Sequence, residues 1–457
     1  VTPPARGAAP GARPTDPYDP TGDPDLHVEH YDLDLTYKVA RNRLGGTAVL
    51  HLRPLVATRE VHLELAGLVV QEVAVEGARL ARHRHRGRAL TLRLADEVPA
   101  GAPLVVTVRY AGTPGPVPSP FGPVGWEELT DGALVASQPH GAASWFPCND
   151  RPGDRATFRT RLTVDDPYRV AAPGRLTGRR ARAGATTWVF EETAPTATYL
   201  ATVQVGRYAE LALADAPVPQ RALVPPAHLP AARRALARHG DMLDALADVF
   251  GPYPFDGYTL VVADDVLEIP VEAQGMSVFG TNHLGGTSDD ERLVAHELAH
   301  QWVGNGVGIS TWQHLWLNEG FACYAEWLWS EASGGPDVGT LAGRWRARLA
   351  ARPQDLVLSD PGPERVFDDR VYKRGALTVH ALRLVLGERC WRETVRAWVA
   401  EHVGGPTVTD ADFRAHVARF AHGQGGEDLA ARVADLLRRW LDEEPLPELP
   451  GSSDRVA

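Results

Sequence analysis

The chain has 457 residues, 44% hydrophobic and 23% charged, with 58 acidic side chains against 47 Lys and Arg and a net charge of −11. That length exceeds one ordinary core and predicts two or three domains, while the acidic balance argues against a general nucleic-acid binder. No stretch approaches the roughly 18 uninterrupted apolar residues of a membrane span.

Residues 1–25 are dense in Pro and Gly and lack apolar periodicity, so they read as a disordered lead-in. Val1 fits either an alternative start codon or an end left by removal of a signal peptide. Cys148, Cys323 and Cys390 are odd in number and widely spaced, without C-x-x-C, so neither a disulfide framework nor a cysteine metal site is indicated. A cytoplasmic location is the expectation, with secretion the alternative.

From 26 to 210 alternation dominates. Tyr31, Leu33, Leu35, Tyr37 and Val39 share one face and Asp32, Asp34, Thr36 and Lys38 the other, as in a half-buried strand. Val61-Leu63-Leu65, Leu90-Leu92-Leu94 and Leu104-Val106-Val108-Tyr110 repeat the pattern, and more strands follow through Val203 and Val205. The spacing predicts antiparallel sheets of a sandwich or saddle. The basic run Arg82 to Arg88 lies between two strand patterns and reads as an exposed hairpin end. Thr113 to Gly125 reads as an ordered loop or linker.

From about 211 to 445 the period becomes helical. Pro230 to Phe250 stops at Gly251-Pro252-Tyr253-Pro254, and a short strand follows at Tyr258 to Val262. Helices are predicted around His296 and Glu319 and at about 372–387, 390–402, 410–421 and 427–442, with Thr409 as a cap. Residues 446–457 make a tail. The expected fold class is multidomain α+β, an N-terminal antiparallel β-sandwich or saddle domain followed by a mainly helical domain.

His296-Glu297-Leu298-Ala299-His300 is the most informative segment. Residues four apart project from one face of a helix, so His296 and His300 can present two imidazoles to one ion. A hydrolytic zinc takes three protein ligands and leaves a position for water; Glu319, on a following helix, supplies the third. Glu297, next to the first ligand, is placed to act as general base. With Leu293, Val294 and Leu298 around it the helix is largely buried, where unpartnered histidines and a glutamate would be costly. Gly275 to Gly280 lacks a glycine that a nucleophile elbow requires, and no phosphate-binding G-x-x-x-x-G-K-[ST] loop is present.

Taken with Trp316-Leu317-Asn318-Glu319-Gly320-Phe321-Ala322, Phe146-Pro147-Cys148-Asn149-Asp150-Arg151-Pro152 and Tyr372-Lys373-Arg374-Gly375-Ala376, these motifs resemble the aminopeptidase N family of gluzincin metallopeptidases, which includes leukotriene hydrolases. The likeness runs from about His27 onward, with the lysine of the family's Y-x-K-G-A one position early. It implies a thermolysin-like catalytic domain holding one zinc ion per chain, and Tyr372 as donor to the oxyanion. It also implies that Glu272, the counterpart of the glutamate in G-x-M-E-N, binds a free amino terminus with Gln138. Glu268 is the rival to Glu272. Glu326, on the Glu319 helix, is placed to orient a ligand.

The residues after Glu319 leave no room for the closing helical domain of larger relatives, which implies a short form with a more open site. The implied function is removal of N-terminal residues from peptides by a monomer that engages neither nucleic acid nor membrane. The alternatives are a zinc endopeptidase or leader-peptide protease, and a non-catalytic scaffold of the same fold.

Overall fold

The computed structural model describes residues 16–451; residues 1–15 of the expected lead-in and 452–457 of the expected tail lie outside them. The alternation from Tyr31 to Tyr37 becomes the strand Leu26–Lys38, with Tyr31, Leu33, Leu35 and Tyr37 buried. It is the central strand of a seven-stranded sheet with the spatial order Arg175–Arg182, Ala185–Ala197, Arg155–Asp165, Leu26–Lys38, Arg43–Pro54, Leu104–Gly112, Leu68–Glu76. One neighbouring pair, Leu26–Lys38 with Arg155–Asp165, is parallel, which corrects the all-antiparallel expectation. No hairpin ties these two strands; the chain leaves for two other sheets between them, and long crossovers permit parallel pairing.

Those two sheets complete the N-terminal domain. Thr58–Glu64, Ala89–Val98 and Leu80–Arg86 form the three-stranded one. The basic run is therefore mostly an edge strand rather than only a hairpin end, turning at Gly87 with φ of 61°. Arg88 turns inward, its Nη2 3.0 Å from Glu64 and 2.7 Å from Asp150. In the five-stranded sheet Pro116–Ser119 pairs with Gly122–Leu129, so the expected loop from Thr113 to Gly125 is largely a hairpin.

The Phe146 to Pro152 segment joins these layers. Phe146 packs on Tyr31 and Phe158, and Cys148 pairs by its backbone with Glu64. Asn149 donates through Nδ2 to Leu26 O and Asp154 Oδ2, at 3.0 and 2.7 Å.

Residues 16–25 are not a loose continuation of the lead-in. Tyr18 and Asp19 are buried, Asp19 lies 3.0 Å from Arg151, and Tyr18 Oη accepts from Gly362 N at 2.7 Å. One aromatic ring with a buried ion pair fixes a segment whose average composition reads as disorder. At the other end Leu446 and Leu449 pack on the helical core and Pro447 O accepts from Arg346, so the expected tail is docked at least as far as residue 449.

The second domain begins with a mixed sheet of Ala209–Ala214, Gln220–Val224, Tyr258–Val262, Met276–Phe279 and Val271–Ala273, in that spatial order. Its helices are α1 (Leu229–Ala235), α2 (His239–Phe250), α3 (Ser288–Ala299), α4 (Trp316–Ala332), α5 (Val338–Ala350), α6 (Asp369–Leu386), α7 (Glu388–His402) and α8 (Asp410–Leu441). The segment expected as one helix from Pro230 is split into α1 and α2. The two expected after Thr409 are found, one on either side of a kink at Gly425 and Gly426, whose φ and ψ are not helical, and together they make up α8. Thr409 caps α8 as expected, accepting from Asp412 N. No helix of the described residues is long and apolar enough to cross a membrane.

Helices α4 and α6 cross at two glycines. A Cβ on Gly320 would lie 2.8 Å from Gly375 Cα, and one on Gly375 2.8 Å from Gly320 Cα, closer than carbon atoms can approach. Glu319 adjoins one of these glycines, and Tyr372 lies about one turn before the other. Gly375→Ala is expected to destabilise the fold by about 1–3 kcal/mol through overpacking, seen as a lower urea midpoint. An unchanged midpoint would mean that the two backbones do not meet there.

Candidate active site

Helix α3 starts at a capping box in which Thr287 Oγ1 accepts from Asp290 N and Asp290 accepts from Thr287 N, an arrangement that stabilises a helix by about 1 kcal/mol. It ends at Ala299 with His300 as its C-cap, so His296 lies in the last turn and His300 just past it. Beyond it the chain folds into a tight turn in which Gly304 has φ of 115° and an added Cβ would stand 3.2 Å from His300 Nδ1. Only glycine suits that conformation at that distance.

The expected donors converge. His296 Nε2 lies 3.2 Å and His300 Nε2 3.5 Å from Glu319 Oε2, which α4 presents from its first turn. Two donors on tetrahedral bonds of about 2.0–2.1 Å stand about 3.3–3.4 Å apart, so these spacings fit a single zinc ion. The far ring nitrogens are engaged elsewhere. His296 Nδ1 donates to Glu326 Oε1 at 2.8 Å and His300 Nδ1 to Val303 O at 3.1 Å, which turns both Nε2 lone pairs inward.

Charge at the site is dense. Burial works against ionising Glu319, but His300 and His296 outweigh it and hold the carboxyl low. Burial pushes Glu297 up to about 7, against the opposing pull of His296 and His300. Its Oε2 is buried without a hydrogen-bond partner, an orphan acceptor beside the donor set. Burial also raises the Tyr372 hydroxyl well above the ordinary phenol range, helped by Glu319 and Glu272, so it stays neutral and able to donate. The Tyr372 ring stacks on His296 with centroids 6.4 Å apart.

Glu272 and Gln138, far apart in sequence, are brought together. Gln138 Nε2 donates to Glu272 Oε1 at 2.8 Å, from the loop after Gly132–Ala136 to the edge strand Val271–Ala273. Carboxylate oxygens of Glu272 and Glu297 and a ring nitrogen of His300 lie within 4.8 Å of one another. Glu268, the rival, is exposed. Ser277 of the elbow-like segment is buried in a strand against Tyr258.

Several neighbours of the site were not foreseen. Gln301 donates to Ala273 O and Met276 O, and Asn305 to Ala273 O at 2.8 Å, so the turn after His300 fixes the Glu272 strand. Arg155 of the first domain donates to Asn305 O and Gly306 O, at 2.6 and 3.1 Å. Tyr199 reaches Gly304 O from the same domain. Arg374, standing where the resemblance places a lysine, donates to five backbone carbonyls: Leu356 O, between α5 and α6, and four at the end of α8 and in the chain beyond it, Trp440 O among them.

A β-rich domain followed by a helical domain carrying a His-His-Glu donor set defines a metallopeptidase architecture. The model of the peptidase M1 N-terminal domain matches residues 27–200 and that of the peptidase family M1 domain residues 234–440, and the chain belongs to peptidase family M1. Among solved structures it is similar to a two-domain M1 zinc metallopeptidase bound to L-arginine, at 31% identity and a TM-score of 0.82, over 95% of this chain and 99% of that one. The M1 zinc metallopeptidase from Deinococcus radiodurans gives 32% and 0.81 over 94% and 97%. Among curated proteins, Aminopeptidase M1 of Arabidopsis thaliana is 24% identical over 84% of this chain and 47% of its own length. The chain thus spans about half the length of such relatives.

Proposed function

We propose that this chain is a zinc aminopeptidase that removes the first residue of a peptide with a free amino terminus. The observation that carries the reading is the Gln138–Glu272 pair beside the donor set: a carboxylate that binds an α-ammonium there brings the first peptide bond, and no later one, to the metal.

His296, His300 and Glu319 would hold the zinc, which when bound supplies a Lewis acid for the carbonyl and lowers the pKa of water. Glu297 takes a proton from the attacking water at its unpartnered Oε2 and returns it to the leaving amine nitrogen. Tyr372 donates its neutral hydroxyl to the oxygen on which negative charge develops. Glu272, fixed by Gln138, pairs with the substrate ammonium. The similarity to an M1 structure solved with L-arginine, and to one solved with a Tyr-Ser-Ala substrate, supports a site of this size and chemistry.

An aminoacyl amide reporter tests this, compared free and N-acetylated, before and after chelation. Turnover of the free form should exceed that of the blocked form by orders of magnitude, and should vanish with chelator and return with zinc. Equal rates would replace the reading by an endopeptidase. A purified chain with neither metal nor turnover would be a scaffold.

A further inference from the structure

Beside the His296 ring lies a buried cluster of which the chemistry above uses only the hydrogen bond from His296 to Glu326. Cys323 and Glu326 stand three residues apart on α4, and a thiol sulfur, a carboxylate oxygen and a His296 ring nitrogen there lie within 4.8 Å of one another. Such a set of sulfur, oxygen and nitrogen donors draws a cation. The chain supplies one: Lys373, one of its two lysines, is only 6% exposed, with Nζ 3.0 Å from Cys323 Sγ and 3.7 Å from Glu326 Oε1. The ammonium also lies 4.8 Å from the Trp345 ring centroid, a favourable face for a cation.

Glu326 is thereby held at both oxygens. Oε2 accepts at 2.9 Å from Arg292, whose side chain is 40% exposed. Oε1, the oxygen that accepts from His296 Nδ1, has the enclosed ammonium as its second neighbour. The lysine next to Tyr372 therefore reaches the donor set through one carboxylate and one imidazole.

We propose that Lys373, backed by the Cys323 thiol, is a positioning residue for metal binding. Its ammonium locks Glu326, and Glu326 in turn fixes the rotation and tautomer of His296. The inference rests on the reading that His296, His300 and Glu319 hold zinc. Cys323 serves as a socket for the ammonium rather than as a metal ligand.

The test is the zinc dissociation constant of the full chain, by competition with a chromophoric chelator, for the wild type and for Lys373→Met, Lys373→Gln and Lys373→Arg. Loss of the charge is expected to weaken zinc binding by roughly 10–100-fold, with most of the affinity recovered in Lys373→Arg. KM for the free-amine reporter should stay unchanged at saturating zinc. Should Lys373→Met fail to fold, the Gln and Arg variants carry the comparison. Affinity within about threefold of wild type in the neutral variants, well below the expected range, would overturn the proposal. An equal loss in Lys373→Arg would also overturn it, since shape rather than charge would then be responsible. A wild-type chain that takes up no zinc would instead overturn the reading of the donor set itself.

Discussion

Replacing Glu297 by glutamine is expected to lower kcat by roughly 10²–10⁴-fold while the chain keeps its metal. Glutamine has the shape of the carboxylate but cannot take a proton, and Glu297 lies outside the contacts among His296, His300, Glu319 and Glu326. Its carboxyl, pushed up to about 7 by burial, sits where proton uptake and release are nearly balanced at neutral pH. Zinc content by elemental analysis should match the unmodified chain. Turnover within about threefold of wild type, far short of what a general base contributes, would remove Glu297 from the reaction.

Tyr372→Phe should reduce kcat by about 10²–10³-fold with little change in KM. The phenyl ring preserves the stack on His296, so the substitution isolates the hydroxyl from the packing. A hydrogen bond that strengthens only as charge develops on the carbonyl oxygen appears in kcat rather than in ground-state binding. Steady-state kinetics on the free-amine reporter decide it. A kcat close to wild type would leave Tyr372 as a neighbour of the histidine with no part in the chemistry.

The donor set was legible in the sequence because two rules of fixed geometry specify it. Helical periodicity puts His296 and His300 on one face, and metal chemistry calls for a third ligand. Gln301, Asn305, Arg155 and Tyr199 obey no such rule: each works through backbone carbonyls that belong to distant segments, and nothing local marks them. The order of domains followed from the change of period, yet the parallel pairing of Leu26–Lys38 with Arg155–Asp165 did not, since alternation reveals a strand without naming its partner. Leu80–Arg86 was hidden because most of its residues are exposed and basic, which erases the apolar alternation of a half-buried strand. At Gly425-Gly426 the break between two helices was readable, since paired glycines carry little helix propensity, and the non-helical φ and ψ fall there.

The hydrogen bond from Gln138 to Glu272 crosses from the β-rich domain to the helical one. The donors, Glu297 and Tyr372 all belong to α3, α4 and α6 or the residue capping them, within a single domain. On the proposed reading, then, cutting and measuring are separate properties of the molecule. The cut is made within one domain, and the distance from the peptide's end is gauged across a seam. Loss of the Gln138 amide alone would blunt the discrimination between free and blocked peptides while leaving the contacts among His296, His300 and Glu319 in place.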